Sequence, residues 1–248
     1  MINKKIFRAV IVEEDVAGLF SQSIKNKKVV DLPLNDLLIK VSYSSLNYKD
    51  ALSFSGNKGV SKNYPHTPGI DAVGIIEKTS VSQFDIGDRV IVSGYDLGMN
   101  TSGGFGEYIR VPKEWVCHLP KGLQSLESMI IGTAGLTAGL CVDLFIKNNS
   151  IEGKKAIVSG ATGGVGTIAI KLLTKMGVDV TAITSNLDSK EYLMMIGASE
   201  VISVSEFLDS IKKPLNKSTW DFAIDVVGGP ILSALIISMK YGGIIACC

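Results

Sequence analysis

The sequence predicts an α/β protein with two domains, a β-rich domain over residues 1–125 and a doubly wound parallel sheet over residues 126–248. Three observations support this prediction. Short apolar runs bounded by Gly, Pro, Asn and Asp fill the first half, which is typical of an all-β or mixed barrel-like domain. Strand-like and helix-like segments alternate through the second half. The glycine-rich stretch GATGGVG, residues 160–166, follows one of these strands and opens one of these helices.

Strands of the first half are predicted at residues 7–12, 37–43, 74–77 and 89–93. The stretches FDIGDRVIV and GGFGEYIRVP each indicate a turn followed by a strand.

The second half alternates more regularly. We predict strands at residues 155–159, 178–183, 200–203, 221–226 and 243–246. The helices between them are TIAIKLLTKMG, SKEYLMMIGA, 205–213 and 230–240. Five β segments joined by four helices are typical of a parallel doubly wound sheet. A complete dinucleotide-binding domain of this type has six strands, so we expect either a sixth strand from elsewhere or a chain truncated at its C-terminus.

The composition excludes several classes of protein. Of the 248 residues 46% are hydrophobic and 20% charged, and the net charge is +1. The chain therefore has material for a core, but no overall field to attract nucleic acid or a membrane. No apolar run approaches the ~20 residues that span a bilayer. The four cysteines form no CxxC pair and no metal-ligand spacing. We expect a cytoplasmic protein without nucleic-acid or membrane partners.

The glycine stretch matches the dinucleotide fingerprint, with Ala161 in place of the first glycine. Gly163 would let the backbone approach a pyrophosphate, and Gly166 would let helix and strand pack closely. The helix N-terminus adds unpaired N–H groups that favour an anion. We therefore predict cofactor contacts from Thr162, Gly163, Gly164, Val165 and Gly166. The alternative is a tight turn in an α/β domain that binds no nucleotide.

The end of the second strand indicates which nucleotide is bound. An acid that reads the ribose is expected about 20 residues after the glycines, but Thr184, Ser185 and Asn186 there are neutral and Asp188 comes too late. Hydroxyl and amide groups can donate to a 2′-phosphate, and Lys190 would add positive charge. We predict NADPH rather than NADH. The alternative is an ordinary loop with a solvated lysine.

Several motifs carry a family resemblance. PGIDAVGII, GDRV, GGFGEY, GTAGLTA and GATGGVG, in this order, resemble the medium-chain dehydrogenase/reductase superfamily. SSLNYKDAL, PGIDAVG and MIIGTAGLTAGLCV resemble more closely its acryloyl-CoA reductase (NADPH) branch, whose members often carry the name quinone oxidoreductase. The resemblance implies a GroES-like catalytic domain over residues 1–125 and a Rossmann domain over residues 126–248. Relatives continue beyond the fifth strand to complete both domains, which implies a homodimer for a full-length form.

Zinc alcohol dehydrogenases share this fold and are the rival enzymes. They carry a catalytic Cys in the slot of Asn47 and Gly-His-Glu where this chain has Gly69, Ile70 and Asp71. Asparagine and isoleucine cannot supply the thiolate and imidazole of such a site. We predict no metal.

The resemblance implies reduction of an activated C=C without a Lewis acid. The acceptor would be a small α,β-unsaturated carbonyl such as acryloyl-CoA, another enone, or a quinone. Hydride addition makes an enolate, which hydrogen-bond donors stabilise. The candidates are the phenol of Tyr48 and the amide of Asn47. In relatives the residue matching Tyr48 contacts the cofactor, and Thr133 would lie near the nicotinamide.

Less specific interpretations remain for these residues. Tyr48 would be a packed aromatic, Thr133 a helix N-cap, Asp50 a capping residue, and Asp71 a residue that orders its loop. Two alternative functions also remain. One is a non-catalytic NADPH-binding protein, and the other is an inactive fragment of the reductase.

Overall fold

A computed structural model of the chain describes residues 4–148, 150–212 and 218–248. The described chain divides into two compact units, one ending at Thr133 and one beginning at Ala134. This boundary lies inside a helix, on the C-terminal side of the boundary that we predicted at residue 125.

The first unit is β-rich, as predicted. Its elements are β1 (Ile6–Glu14), β2 (Phe20–Lys28), β3 (Leu37–Tyr43), α1 (Tyr48–Phe54), β4 (Asp71–Thr79), β5 (Arg89–Ser93), β6 (Tyr108–Val111) and β7 (Val116–His118). Strands β1 and β2 form an antiparallel hairpin, and the others form an antiparallel sheet in the order β6-β3-β4-β5-β7.

Inward-facing apolar residues of this sheet form a core that includes Leu37, Ile39, Ile76, Val90 and Ile109. Strands β2 and β7 were not predicted. The residues of β2 are mostly polar and exposed, so they lack the apolar alternation of a half-buried strand, and β7 has three residues.

Helix α2 (Ser125–Asn148) was not predicted either, because its glycines weaken the helical pattern. The helix is broken at Gly132, whose backbone has φ 49° and ψ −161°. This is the left-handed region, which glycine adopts without steric cost. A Cβ at Gly132 would also lie 2.9 Å from Asp71 Oδ2. Glycine is therefore required at this bend by both backbone angle and space.

The prediction that no apolar run is long enough to span a bilayer is wrong, because α2 meets that requirement by its length and composition. Within the described residues, α2 has 24 residues and a mean hydropathy of 1.9 over its most apolar window. The core helix of a globular protein passes the same test. The part of α2 after Gly132 contributes Ala138, Val142 and Phe145 to the buried core of the second unit.

The second unit confirms the alternation of strands and helices. Its elements after α2 are β8 (Lys155–Val158), α3 (Gly164–Lys175), β9 (Asp179–Thr184), α4 (Lys190–Met195), β10 (Glu200–Ser203), α5 (Val204–Ser210), β11 (Trp220–Asp225), α6 (Gly229–Ser238) and β12 (Met239–Cys247). All paired strands are parallel, in the order β10-β9-β8-β11-β12. The helix predicted over residues 205–213 ends earlier, and residue 213 lies outside the described residues.

Both faces of this sheet are buried, as a doubly wound fold requires. Val158 of β8 packs on one face in the same cluster as Phe145 and Phe222, whose rings stack at 4.6 Å. Its neighbour Ile157 packs on the other face in the cluster of Leu235. Strand β8 lies between β9 and β11. After β8 the chain first adds β9 and β10 on one side of it, and then crosses over to add β11 and β12 on the other side. A ligand crevice is expected at the carboxyl ends of such strands.

The cysteines of the second unit lie beside this sheet. Cys141 of α2 is buried, and its Sγ is 3.5 Å from Sγ of Cys248, which directly follows β12. Burial and the neighbouring Cys141 raise the pKa of Cys248 to about 12. In the part of the chain that the structure describes, Cys117, Cys141, Cys247 and Cys248 are free thiols.

Candidate functional site

The glycine loop, residues 160–166, connects β8 to α3 in the second unit. Gly160 has φ +57°, and Gly163 is the N-cap of α3. The loop is closed by a hydrogen bond of 3.0 Å from the Gly163 N–H to the Gly160 carbonyl. Thr162, Gly163 and Gly164 are exposed, Val165 is half-buried and Gly166 is buried. The first N–H groups of a helix have no partner within the helix, so this exposed main chain can donate to an anion.

Gly166 lies at a close approach between α3 and the backbone that follows β8. A Cβ at this position would lie 2.5 Å from the Gly160 carbonyl oxygen and 2.8 Å from Cα of Ala161. Both atoms are backbone and cannot move aside. Gly166 therefore sets the distance between α3 and the end of β8.

A second loop, at the end of β11, supports the glycine loop. The carboxylate of Asp225 is buried and accepts hydrogen bonds from the Ser159 hydroxyl and, at 2.9 Å, from the Gly228 N–H. The Ser159 oxygen also accepts from the Val226 N–H at 3.1 Å. A Cβ at Gly160 would lie 2.4 Å from a methyl group of Val226. Neither Asp225 nor Ser159 was among the site residues that the sequence predicted.

The four residues predicted to select the nucleotide lie at the end of β9 and the start of α4. The Thr184 hydroxyl is buried and bonds to the main chain of Asn186, donating to its carbonyl at 3.1 Å and accepting from its N–H at 3.0 Å. Thr184 therefore shapes the turn. Ser185, Asn186 and Lys190 are exposed.

Glu206 of α5 also lies near this end of the sheet. Hydrogen bonds with Ser203 lower the pKa of Glu206, and the bond from the Ser203 backbone N–H has the largest effect. The positive charge of Lys190 lowers this pKa further. A carboxylate near Lys190 was not expected, and it would weaken the attraction of this region for a phosphate.

In the first unit two of the predicted site residues, Asn47 and Thr133, meet with Ser45 and Asp71 in a group that we call the Asp71 cluster. Asp71 is fully buried. From described residues its carboxylate accepts hydrogen bonds from the Ser45 hydroxyl, from Asn47 Nδ2 at 2.9 Å, and from the N–H and hydroxyl of Thr133 at 2.9 and 2.6 Å. Burial acts to raise the pKa of Asp71, but these hydrogen bonds together hold it below its ordinary value.

Asp50 lies beside the cluster and behaves differently. It caps α1 by accepting from the Asn47 N–H at 2.8 Å, as predicted, and it also accepts from the Ile70 N–H at 2.9 Å. Burial, together with the nearby charge of Asp71, raises the pKa of Asp50, and these N–H groups oppose the rise. The two carboxylates thus have pKa values shifted in opposite directions.

A cleft of 560 Å³ opens in the first unit next to this cluster. Its apolar walls are Leu46, Ala51, Phe54 and Phe105, and its polar groups are Gln22, Asn47, Asp50 and Ser55. The Tyr48 side chain is 82% exposed and does not belong to the cluster. It is therefore not the packed aromatic of the alternative interpretation.

The donor set of the cluster does not suit a metal ion. Across the described ranges, no three His, Cys, Asp or Glu side chains form a group that could hold a metal. The carboxylate of Asp71 is engaged by hydroxyl, amide and backbone donors, and Asn47 directs its amide nitrogen at that carboxylate. These contacts satisfy an anion and leave it no exposed lone pair for coordination.

Comparison with known proteins decides the family. The model of the alcohol dehydrogenase GroES-like domain matches residues 33–121, and the zinc-binding dehydrogenase model matches residues 164–248. The chain is 41% identical to YhfP of Bacillus subtilis, named as a quinone oxidoreductase, across 97% of this chain and 73% of YhfP. It is 34% identical to the acrylyl-CoA reductase AcuI of Ruegeria pomeroyi, across 97% of this chain and 74% of AcuI.

The chain belongs to the zinc-free quinone oxidoreductase branch of the medium-chain dehydrogenase/reductase superfamily. The solved structures of this superfamily agree with the fold. The yhdH oxidoreductase from Salmonella enterica, in complex with NADP, superposes with a TM-score of 0.91 at 38% identity, covering 97% of this chain and 74% of that one. B. subtilis yhfP with NAD bound has a TM-score of 0.92 at 41% identity, covering 98% and 74%. The predicted GroES-like and Rossmann folds are therefore confirmed.

Proposed function

We propose that this member of the superfamily is a zinc-independent, NADPH-dependent oxidoreductase. It reduces the activated C=C of a small α,β-unsaturated carbonyl, such as acryloyl-CoA or another enone, or it reduces a quinone. The observation that carries the proposal is the glycine loop, where main chain without Cβ atoms is exposed at the carboxyl end of β8. This is the arrangement that a dinucleotide diphosphate requires.

The residues of the second unit fit NADPH. One relative was crystallised with NADP and another with NAD. Exposed Ser185, Asn186 and Lys190 supply donors and one positive charge for a 2′-phosphate. Glu206 opposes them, but its carboxylate already accepts from the Ser203 N–H at 2.7 Å. We expect NADPH to bind more tightly than NADH.

Bound at this loop, NADPH would supply a hydride to the acceptor. The residues of this chain would bind and orient the reactants. Leu46, Phe54 and Phe105 would exclude water from the acceptor, and apolar walls of this kind strengthen the few polar contacts. By resemblance, Thr133 and Tyr48 would lie at the nicotinamide. The proton at the α-carbon would come from the exposed Tyr48 phenol or from solvent.

The reaction would proceed without zinc. Asn47 and Ile70 stand where zinc-dependent relatives carry Cys and His, and Asp71 is committed to hydrogen bonds inside the first unit. The homodimer and the cytoplasmic location stay predictions.

A screen of acceptors with NADPH tests the proposal. NADPH oxidation, followed by absorbance, is expected with acryloyl-CoA, an enone or a quinone, and EDTA should not slow it. Tight NADPH binding without turnover of any acceptor would show a non-catalytic binding protein. No NADPH binding would contradict the proposal.

Tyr48→Phe separates the two roles of Tyr48. If the phenol is the proton donor, kcat should fall by about 100-fold or more. If Tyr48 only contacts the cofactor, the loss should be a few-fold and appear mainly in KM for NADPH. We expect the smaller effect, because the side chain is 82% exposed and solvent can supply the proton. The free energy of unfolding should not change.

A further inference from the structure

Asp71 contacts two of the residues that the first unit contributes to the predicted site, Asn47 and Thr133, and the third, Tyr48, directly follows Asn47. Its carboxylate accepts from Asn47 and from both donors of Thr133. Asn47 is the N-cap of α1, and Tyr48 is the first residue of that helix. Thr133 lies far from Asn47 and Tyr48 in the sequence, and Asp71 is the point at which the two segments are joined.

The hydrogen bonds determine how the Asn47 side chain is oriented. Its Nδ2 is 2.9 Å from Asp71 Oδ2 and 3.3 Å from Asp50 Oδ2. An amide oxygen facing two carboxylates would be repelled, so the nitrogen must face them. The amide N–H groups that the sequence offered as donors to an enolate are therefore committed to Asp71 and Asp50.

Asp71 also acts on helix α2. The bend at Gly132 exposes a new helix start at Thr133, and the Asp71 carboxylate accepts from the N–H of this residue. A negative charge at a helix N-terminus is favourable. The absence of a Cβ at Gly132 leaves the room for this contact, since that atom would lie 2.9 Å from Asp71 Oδ2 and from Ser45 Oγ.

We propose that Asp71 is the positioning residue of this reductase, holding Asn47, the first turn of α1 and Thr133 in one arrangement. The inference rests on the proposed function, because it assigns these residues to the reaction. It places Asn47 in a supporting role and leaves the reactant contacts to Tyr48 and Thr133.

Two substitutions of Asp71 distinguish positioning from charge alone. Asp71→Ala removes every acceptor, whereas Asp71→Asn keeps one oxygen for Asn47 and Ser45 and turns its amide nitrogen to the Thr133 hydroxyl, which can accept. We expect kcat to fall about 100-fold in Asp71→Ala, the size of effect that misplacing reacting groups has, and about 10-fold in Asp71→Asn. The dissociation constant of NADPH should change less than about 3-fold, because the glycine loop belongs to the second unit.

Asn47→Ala tests whether Asp71 acts through Asn47. In the Asp71→Ala background it should cost less than about 2-fold further, since coupled residues are non-additive. Asp96→Asn is the matched control. Asp96 also accepts from an amide and a hydroxyl, those of Asn100 and Thr101, at 2.9 Å each, but it lies outside the site and should leave kcat unchanged.

A spectroscopic readout keeps the inference independent of turnover, and its wild-type measurement does not depend on the folding of any variant. In wild-type protein labelled with ¹⁵N-asparagine, the Asn47 side-chain amide should exchange slowly with solvent and resonate apart from exposed asparagines. The signal should move in Asp71→Asn and stay in Asp96→Asn. A freely exchanging Asn47 amide, equal losses in both Asp71 variants, or multiplicative effects with Asn47→Ala would overturn the inference. Failure of the wild type to bind NADPH or turn over an acceptor would instead refute the proposed function.

Discussion

The glycine loop of the second unit is made of main chain, whereas the Asp71 cluster of the first unit is made of side chains. In the loop, Gly166 leaves no room for a Cβ, and the ligand-facing groups are backbone N–H. In the cluster, one buried carboxylate is held by donors from two separate segments, residues 45–47 and residue 133. Added side-chain volume should therefore disturb the glycine loop, whereas a change of pH should not. Protonation of the Asp71 carboxylate should disturb the cluster.

Replacing Gly166 should give the largest effect, because the added Cβ would meet backbone at 2.5 Å. Gly166→Ala is expected to lower the free energy of unfolding by about 3 kcal/mol and to weaken NADPH binding by more than about 100-fold, which corresponds to the same scale of energy. Denaturant unfolding and NADPH fluorescence titration measure the two effects.

Gly139→Ala is the control for this substitution. Gly139 lies in α2, and a Cβ there would meet nothing within 4 Å. It should stabilise the protein by up to about 1 kcal/mol and leave NADPH affinity unchanged. Equal losses in both variants would mean that close packing at the loop is unimportant.

Asp71→Asn should give the next largest effect, and it should depend on pH. At pH 7 it is expected to lower the free energy of unfolding by about 2 kcal/mol, the range for hydrogen bonds to a charged group. Because the folded-state pKa of Asp71 lies below 3.8, its stabilisation is present above the unfolded pKa and is lost as the pH falls through the folded pKa. The difference from wild type should therefore shrink at pH 3.

Asp50→Asn should show the opposite trend. The folded-state pKa of Asp50 lies above 3.8 because of burial, so its favourable contribution is present below the unfolded pKa and is lost as the pH rises through the folded pKa. The destabilisation caused by Asp50→Asn should be smaller at pH 7 than at pH 3, as measured by urea unfolding at both values. Parallel pH trends for the two variants would contradict the assigned shifts.

Lys190→Ala should give the smallest effect. An exposed charge contributes up to about 1 kcal/mol, so NADPH affinity should fall by about 2- to 5-fold and NADH affinity should not change. Glu206→Gln keeps the capping contact to Ser203 and removes the neighbouring charge. It should raise NADPH affinity slightly. Isothermal titration with both nucleotides would reveal a wrong assignment if Lys190→Ala weakened both equally.

The difference between the glycine loop and the Asp71 cluster also determined which of them could be predicted from the sequence. Gly163 and Gly166 were recognisable because a backbone site leaves a spacing of glycines between a strand and a helix. The Asp71 cluster left no such local signal, because residues 45, 47, 71 and 133 meet only after folding. Asp225 and Ser159 were missed for the same reason. Helix α2 was missed because its glycines, including Gly132 at the bend, lower helix propensity while tertiary packing stabilises it.

The reactivity of the cysteine thiols can be used to measure how often the second unit opens. Cys141 is buried in the core of that unit, while Cys247 and Cys248, like Cys117 of the first unit, are exposed. An alkylating reagent should modify the three exposed cysteines in the native state and reach Cys141 only when α2 separates from the sheet. The mass added at Cys141 over time would therefore report the opening rate of the second unit without any introduced label.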